Sequence, residues 1–410
     1  MKKVKLGDII KIYNGKAHQS LEEVGNFPVF GSGGLMGYTR DFIYNGEAIL
    51  LPRKGTLSNI QYLNNKFWVV DTTYYAVVDK EKANTYFVWN YLKTLNLANL
   101  NSGSAVPSMT QKAYQDIEIS LPDLPTQTAI ARILSSLDDK IELNNKINKE
   151  LESLARTIYE YWFVQNAGEK WERKSLGEYI QSTGGFAFKS TEWKNEGYPT
   201  IKIKDIQEDN TLNFNGIDYV SKDTSIDDKF VAKAGEVVIA MTGATIGKVA
   251  VVPFHSDKIY VNQRVGIFKS PNPLEKLPFL INSLNQNYVR EMIFLIASGA
   301  AQPNISNEQI NSIPLVIPNE ELIKKYNDMM KSSYIQILNN QQENVELARL
   351  RGFLLPLLMN GQVASTSLSH RVCNRSLSGV ETSGAETSGV ETSGVEAAET
   401  TCNTKKIIEP

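Results

Sequence analysis

From Ile130 onward, apolar and amide side chains recur in steps of four and three: Ile130, Leu134, Leu137, Ile141, Asn144, Asn148, Leu151, Ala155, Ile158 and Trp162. A stripe of that period is the seam of a coiled coil, and Asp123 with Pro125 marks the start of its helix. A second stripe opens at Asn319, an N-cap residue followed by Glu320 and Glu321 in the first turn. It runs through Ile323, Tyr326, Met330, Tyr334 and Ile337 and crosses a polar middle. It resumes at Leu347, Leu350, Leu354 and Leu357, with Pro356 placed to kink or end it. Each stripe covers about 38 residues, roughly 55–60 Å of helix. Neither can bury its seam alone. The two are therefore expected to pack antiparallel, with Asn144, Asn148, Asn339 and Asn340 pairing amides to fix the register. The plainer alternative is two unrelated amphipathic helices, each packed on its own domain.

Ahead of each stripe the pattern is one of short β-branched runs broken by glycine-containing turns, so it occurs twice. "SGSAVPSMTQKAYQDIEISLP" (102–122) aligns without gaps on "SGAAQPNISNEQINSIPLVIP" (298–318), with six of 21 positions identical. Met109 matches Ile305, Thr110 matches Ser306 and Leu121 matches Ile317. "VKLGDII" at Val4 matches "KSLGEYI" at Lys174, and "LNN" at Leu143 matches "LNN" at Leu338. "GEAILLPRKGTLSNI" at Gly46 matches "GEVVIAMTGATIGKV" at Gly235. Four blocks in one order describe a duplicated unit of roughly 170–200 residues, the size of a domain plus a connector. The expected divisions are globular 1–122, helix 123–165, globular 166–318, helix 319–360 and tail 361–410. The tail repeats "SGVET"-like pentapeptides of small and acidic residues, which cannot bury a core and should be disordered.

The duplication decides how "VVIAMTGATIGKVAVV" (237–252) is read. A phosphate-binding loop needs four residues between Gly and Gly-Lys, then Ser or Thr. Here Gly243 to Gly247 leaves three, Val249 stands where the hydroxyl belongs, and the matching copy places Ser58 and Asn59 opposite Gly247 and Lys248. Both copies read as strand, turn, strand, a hairpin and not a phosphate cradle. In "VFGSGGLMGY" (29–38) the third glycine of a dinucleotide loop arrives one residue late, at Gly37, and no βαβ unit follows.

Composition narrows the chemistry further. The 42% hydrophobic and 21% charged content is that of an ordinary soluble protein. No apolar run approaches the roughly 20 residues of a membrane span, and "MKKVKLGDIIKIYNG" has too short an apolar core for a signal peptide. A cytoplasmic location is expected. Both cysteines, Cys373 and Cys402, lie in the tail, and His18 and His255 are far apart, which leaves no zinc site, disulfide or cysteine nucleophile in the folded part. Net charge is −2, with 13 Lys and Arg against 10 Asp and Glu in 1–122 and 16 against 17 in 166–318. A nucleic-acid face would have to come from local clustering.

Two similar lobes on two long helices suit a ligand with two separated sites, duplex DNA above all, and a protein-binding coiled-coil scaffold is the alternative. "GEVVIAMTGATIGKVAVV", "VNQRVGIF" (261–268) and "SGAAQPNIS…IPLVIP" resemble the second target-recognition domain of a type I restriction–modification specificity (S) subunit. "FGSGGLMGYTRDFIYNGEAILLPRKGTLSNI" is similar to a first such domain. "LPTQTAIARILSSLDDKIELNNKINKELESLARTIYEYWF" and "LARLRGFLLPLLMNGQV" resemble the family's central and closing helices. The likeness spans residues 4–363. It implies an α+β fold of two similar mixed α/β target-recognition domains separated by two long antiparallel coiled-coil helices. It also implies a non-catalytic subunit that reads a split DNA target. Two methyltransferase (M) subunits and the restriction (R) subunits would be its partners and would hold S-adenosylmethionine, ATP and Mg²⁺, leaving this chain without a cofactor. Residue chemistry nominates the DNA contacts: Arg40, Arg53, Lys54, Thr56, Ser58 and Asn59 in the first domain, and Thr242, Thr245, Lys248, Gln263, Arg264, Gln302 and Asn304 in the second. Tyr38 and Tyr44 either line the same face or pack.

Overall fold

The computed structural model describes residues 1–17, 25–97, 107–168, 171–224, 226–297 and 303–362. The tail from residue 363 on, His18 and Gln302 lie outside the described residues. The first lobe contains β1 (Lys2–Lys5), β2 (Ile10–Asn14), β3 (Phe27–Gly31), β4 (Gly34–Thr39), β5 (Tyr44–Pro52), β6 (Gln61–Val69), β7 (Thr73–Val78) and β8 (Glu118–Leu121), with helices α1 (Thr85–Lys93) and α2 (Gln111–Gln115). Helix α3 (Leu124–Glu160) follows. The second lobe contains β9 (Glu172–Ser175), α4 (Leu176–Tyr179), β10 (Ser182–Gly184), β11 (Trp193–Lys194), β12 (Tyr198–Ile201), β13 (Asp218–Val220), β14 (Val231–Ala232), β15 (Val237–Ala240), β16 (Val249–Val251), β17 (Ile259–Val261) and β18 (Val265–Phe268). It ends with α5 (Pro273–Leu284), α6 (Asn287–Ala297), α7 (Asn307–Asn311) and β19 (Pro314–Ile317), and α8 (Glu320–Met359) closes the described chain.

The sequence repeat is a repeat of topology. The strand order β2-β7-β5-β6 in the first lobe recurs as β10-β18-β15-β16 in the second. The antiparallel pair β1–β8 recurs as β9–β19, joining the start of each unit to its end. Ala48 to Leu51 of β5 and Val237 to Ala240 of β15 are fully buried. An unbroken apolar run of this kind marks a strand covered on both faces. The lobes differ beyond that shared sheet. In the first, β3 pairs parallel with the end of β6, and β4 extends the same six-stranded sheet. In the second, the corresponding parallel pair is β12 with β17, within a separate five-stranded sheet ordered β11-β13-β12-β17-β14.

The long helices do pack on each other, antiparallel: contacts run from Asp138–Arg351 through Asn148–Asn340 to Ala155–Tyr326. Caps fix their starts, since Asp123 Oδ1 accepts the Thr126 amide and Asn319 Oδ1 the Leu322 amide. At the middle of the seam, Asn340 donates to Asn148 at 2.8 Å, Asn144 to Asn344 at 3.0 Å and Asn344 to Asn145 at 2.8 Å. Asn144, Asn148 and Asn340 are buried, and a slip of one turn would break these bonds and leave at least one buried amide without its partner, so the amides favour this alignment. Of the amides expected there, Asn339 is exposed and Asn344 takes its place.

One expectation for α8 is corrected, and the choice left open at Pro356 is narrowed. Leu350 is not a seam residue: it is 44% exposed, and Arg351 occupies the inward position. The inward steps run Leu347, Arg351, Leu354, Leu358, so the stripe passes through a charged residue that an apolar count skips. Pro356 does not end the helix, which continues to Met359. At the other seam positions, Leu134, Leu137, Asn144, Tyr326, Met330, Ile337 and Leu354 are buried, and Ile141, Leu151, Ile158 and Leu347 are half-buried.

Each helix also completes a lobe. Ala155, Tyr159 and Phe163 join Ile323, Tyr326 and Met330 in the core of the second lobe. Toward its other end α8 reaches the first lobe, where Arg351 donates to Asn90 of α1 at 2.8 Å and lies 5.8 Å from the Trp89 ring. Its Nε is 2.6 Å from Asp138 with the N–H turned off the oxygen, an ion pair more than a hydrogen bond.

Candidate nucleic-acid interface

The turn after β5 and the turn after β15 are held by the same backbone device. In the first lobe the Arg53 amide donates to Thr72 O at 2.8 Å, Arg53 O accepts the Met109 amide at 3.0 Å, and the Gly55 amide donates to Pro107 O at 2.9 Å. In the second, the Met241 amide donates to Arg264 O at 3.0 Å, Met241 O accepts the Ile305 amide at 3.0 Å, and the Gly243 amide donates to Pro303 O at 3.1 Å. A β-bridge joins Lys54 to Ser108 in one and Thr242 to Asn304 in the other. Gly55 and Gly243 have φ of 90° and 76°, a left-handed turn that a side chain would strain.

These bonds correct the ungapped alignment of the two turns. Arg53 corresponds to Met241 and Gly55 to Gly243, one residue off the sequence match. Beyond the turn, Gln61 pairs with Leu50 while Ala250 pairs with Val238. The second turn therefore holds one extra residue.

The local sequence builds the clamp's other jaw. Met109 and Ile305 are buried. The next residue caps a short helix in each case: Thr110 Oγ1 accepts the Ala113 amide, and Ser306 Oγ accepts the Gln309 amide. In the first lobe Tyr114 donates to Pro52 O at 2.8 Å from a buried position. Burial raises its phenol well above the usual range, keeping it a donor.

The clamp brings together Arg53, Lys54, Thr56 and Ser58, all exposed, beside Thr72 and Ser108. Arg53 Nη1 lies 3.5 Å from Asp71 O, and its guanidinium is 6.0 Å from the Tyr74 ring. Asn59 is half-buried and donates to Ser32 O at 3.0 Å, tying the β3–β4 hairpin to the turn. In the second lobe Thr242 meets exposed Arg264 and Asn304, with exposed Gln263 beside Arg264. The Thr242 and Thr245 hydroxyls are sealed from solvent without a partner. Lys248 is held by Glu208 at 2.6 Å, so the lysine that suggested a phosphate loop serves an ion pair, and residues 243–245 form a single 3₁₀ turn.

One nominated contact, Arg40, falls away from the rims, and of the two tyrosines left open, one packs. Arg40 precedes β5 at the opposite end from the 53–60 turn, nine residues or about 30 Å along the strand. Tyr44 packs against Phe67 and Tyr75, while Tyr38 is exposed. Thr72 and Ser108 were missed, because only the folded clamp places them beside Arg53.

Among the described residues no helix is long and apolar enough to cross a membrane, and no group of three His, Cys, Asp or Glu could hold a metal. The fold and its rims define a duplicated recognition scaffold, one backbone device repeated with different side chains on display. Residues 1–153 and 168–349 match the type I restriction modification DNA specificity domain, and the chain belongs to that family. The type I restriction enzyme MjaVIII specificity subunit of Methanocaldococcus jannaschii is 26% identical over 408 residues, covering 89% of this chain and 93% of the relative. The HindI specificity subunit of Haemophilus influenzae is 24% identical over 349 residues, covering 65% and 73%. The crystal structure of a type I restriction-modification S subunit from M. genitalium shares the fold, with a TM-score of 0.58 at 18% identity over 87% of this chain and 95% of that one. As a specificity subunit the chain is non-catalytic by itself.

Proposed function

We propose that each lobe reads one half of a split duplex target. One observation carries this reading: the two clamps share their backbone bonds while their side chains differ. Arg53, Lys54, Thr72 and Ser108 stand in one, against Met241, Thr242, Arg264 and Asn304 in the other. A fixed frame with changed side chains suits two readers of different base pairs, and a duplicated catalytic site would need the same residues twice. The contacts are assigned to Arg53, Lys54, Thr56 and Ser58 in one lobe and to Gln263, Arg264 and Asn304 in the other, donors suited to base edges, while the sealed Thr242 hydroxyl is left out.

The amide-locked helix pair sets the distance between lobes, hence the unread spacer. Leu143, Ile147 and Leu154 are exposed along one side of α3, an apolar stripe on which two methyltransferase subunits dock. S-adenosylmethionine, ATP and Mg²⁺ belong to those subunits and to the restriction subunits. The test is to map methylated adenines in DNA from cells with and without this protein. A split motif that loses methylation with the protein is expected; unchanged methylation overturns the reading.

A further inference from the structure

The β3–β4 hairpin has an apolar tip that packing explains only in part: Met36 lies over Gly31, where a Cβ would come within 2.7 Å of its Sδ, yet much of the tip stays open. β4 is an edge strand, and its pairing with β3 slips by one residue: Val29 faces Gly37 while Phe30 faces Leu35, leaving Met36 with no opposite residue. Such a bulge re-aims the side chains around it. Leu35 and Met36 are consequently both open to solvent, 54% and 53% exposed, although neighbours on a regular strand go to opposite faces. Bare hydrophobes on an edge strand invite aggregation, and soluble proteins generally cover or charge them. Nothing charged replaces them here. The second lobe fills the equivalent place with β13, paired to β12 without a slip.

The tip is also fastened to the rim. Asn59 Nδ2 bonds Ser32 O in the hairpin turn, and a Cβ on Gly55 would lie 3.1 Å from Ser32 Oγ. The hairpin turn that leads into Leu35 and Met36 is thus held against Gly55 and Asn59, in the turn that carries Arg53, Lys54 and Ser58. Resting on the reading of that edge as the first lobe's base-reading face, we propose that Leu35 and Met36 contact a thymine C5-methyl group in the major groove. The first lobe then recognises an A·T pair next to the base pairs faced by Arg53 and Lys54. Thymine is the base that presents a methyl group in the major groove, and a two-stranded β-ribbon fits that groove. The rim's own apolar surface is limited to threonine methyls such as that of Thr56, far smaller than the exposed Leu35 and Met36 side chains.

The test uses the full chain assembled with its methyltransferase partners and duplexes carrying the target found by methylation mapping. Each thymine of the first lobe's half-site is replaced in turn by deoxyuridine, which removes the methyl group and keeps every hydrogen-bonding edge. One or two positions should weaken binding about fourfold, the effect of burying one methyl group. The Leu35→Ser/Met36→Ser variant should lose that sensitivity while keeping its preference at the other positions. Both side chains are surface-exposed, and circular dichroism verifies that the variant folds. A wild-type complex indifferent to every replacement, or a variant as sensitive as wild type, overturns the proposal. An Arg53→Ala/Lys54→Ala variant read on the same duplexes separates the two levels. If its half-site preference is unchanged, the base-reading edge falls and takes the proposal with it.

Discussion

Arg351 is the residue through which α8 grips the first lobe, and its replacement by methionine tests that grip. Methionine keeps the length of the stem against Trp89 and removes the charge. Two groups then lose their partner: Asp138, which also accepts the Tyr86 hydroxyl, and the Asn90 carbonyl oxygen, on a fully buried side chain. Breaking a wholly buried ion pair costs about 3–5 kcal/mol. Arg351 is 14% exposed but Asp138 is 31% exposed, and solvent screening there reduces the ion-pair loss to about 2 kcal/mol. The stranded Asn90 oxygen adds about 1 kcal/mol. With an unfolding entropy of roughly 2.1 cal/mol/K per residue, each kcal/mol moves the melting point of a protein of this size by about 1.3 °C, so the combined loss of about 3 kcal/mol should make Arg351→Met melt about 4 °C lower by scanning calorimetry. Adding Asp138→Asn removes the unpaired charge and leaves Tyr86 an acceptor, so the double variant should recover more than half of the loss. A shift under about 1 °C for the single variant, or a double variant as unstable as the single one, would refute the reasoning.

Other consequences are as direct. Glu152 lies in a cavity of about 440 Å³ between α3, α8 and the second lobe, with Lys149, Arg156, Glu208 and Arg290 around it. Burial, with the negative charge of Asp209, pushes its carboxyl up to about 7 from 4.5. The folded chain therefore holds a proton that the unfolded chain has released, and stability falls as pH rises from about 4.5 to 7. Glu152→Gln should raise the melting point at pH 8 and leave it unchanged at pH 4; equal effects at both would contradict the assignment. Four residues inserted after Asn145 add about 6 Å of helix and should change the tolerated spacer in methylation maps while both half-sites stay readable. The near-neutral lobes predict that the free chain binds DNA weakly, with a shallow dependence of log affinity on log salt that steepens once methyltransferase subunits join. Tight, target-specific binding by the free chain would be the opposite result.

Much of this architecture was legible because its determinants are periodic. The seams of α3 and α8, their caps and the duplicated hairpins each leave a mark at fixed spacing. Arg351 was missed for the converse reason: a charge inside an apolar stripe looks like a break until Asp138 and Asn90 are seen around it. The extra residue in the second turn was also hidden, since Gly46 and Gly235 align by identity while the hydrogen bonds equate Gly55 with Gly243. The five-stranded sheet escaped notice because β11, β14 and β17 are two or three residues long, too short for an alternating pattern. Of the nominated contacts, Arg53, Lys54, Thr56, Ser58, Gln263, Arg264 and Asn304 stand exposed at the rims, Lys248 is held by Glu208, and Arg40 lies elsewhere. Strand order carries it to the far end of β5, and residue chemistry contains no strand order.

The central claim, one lobe for each half of the target, is tested most directly by exchange. Residues 1–122 are replaced by the matching block of a relative with a different target, the complex is assembled, and methylated adenines are mapped. The account predicts a new sequence in one half, with the other half and the spacer unaltered. A change in both halves, or in neither, would contradict it.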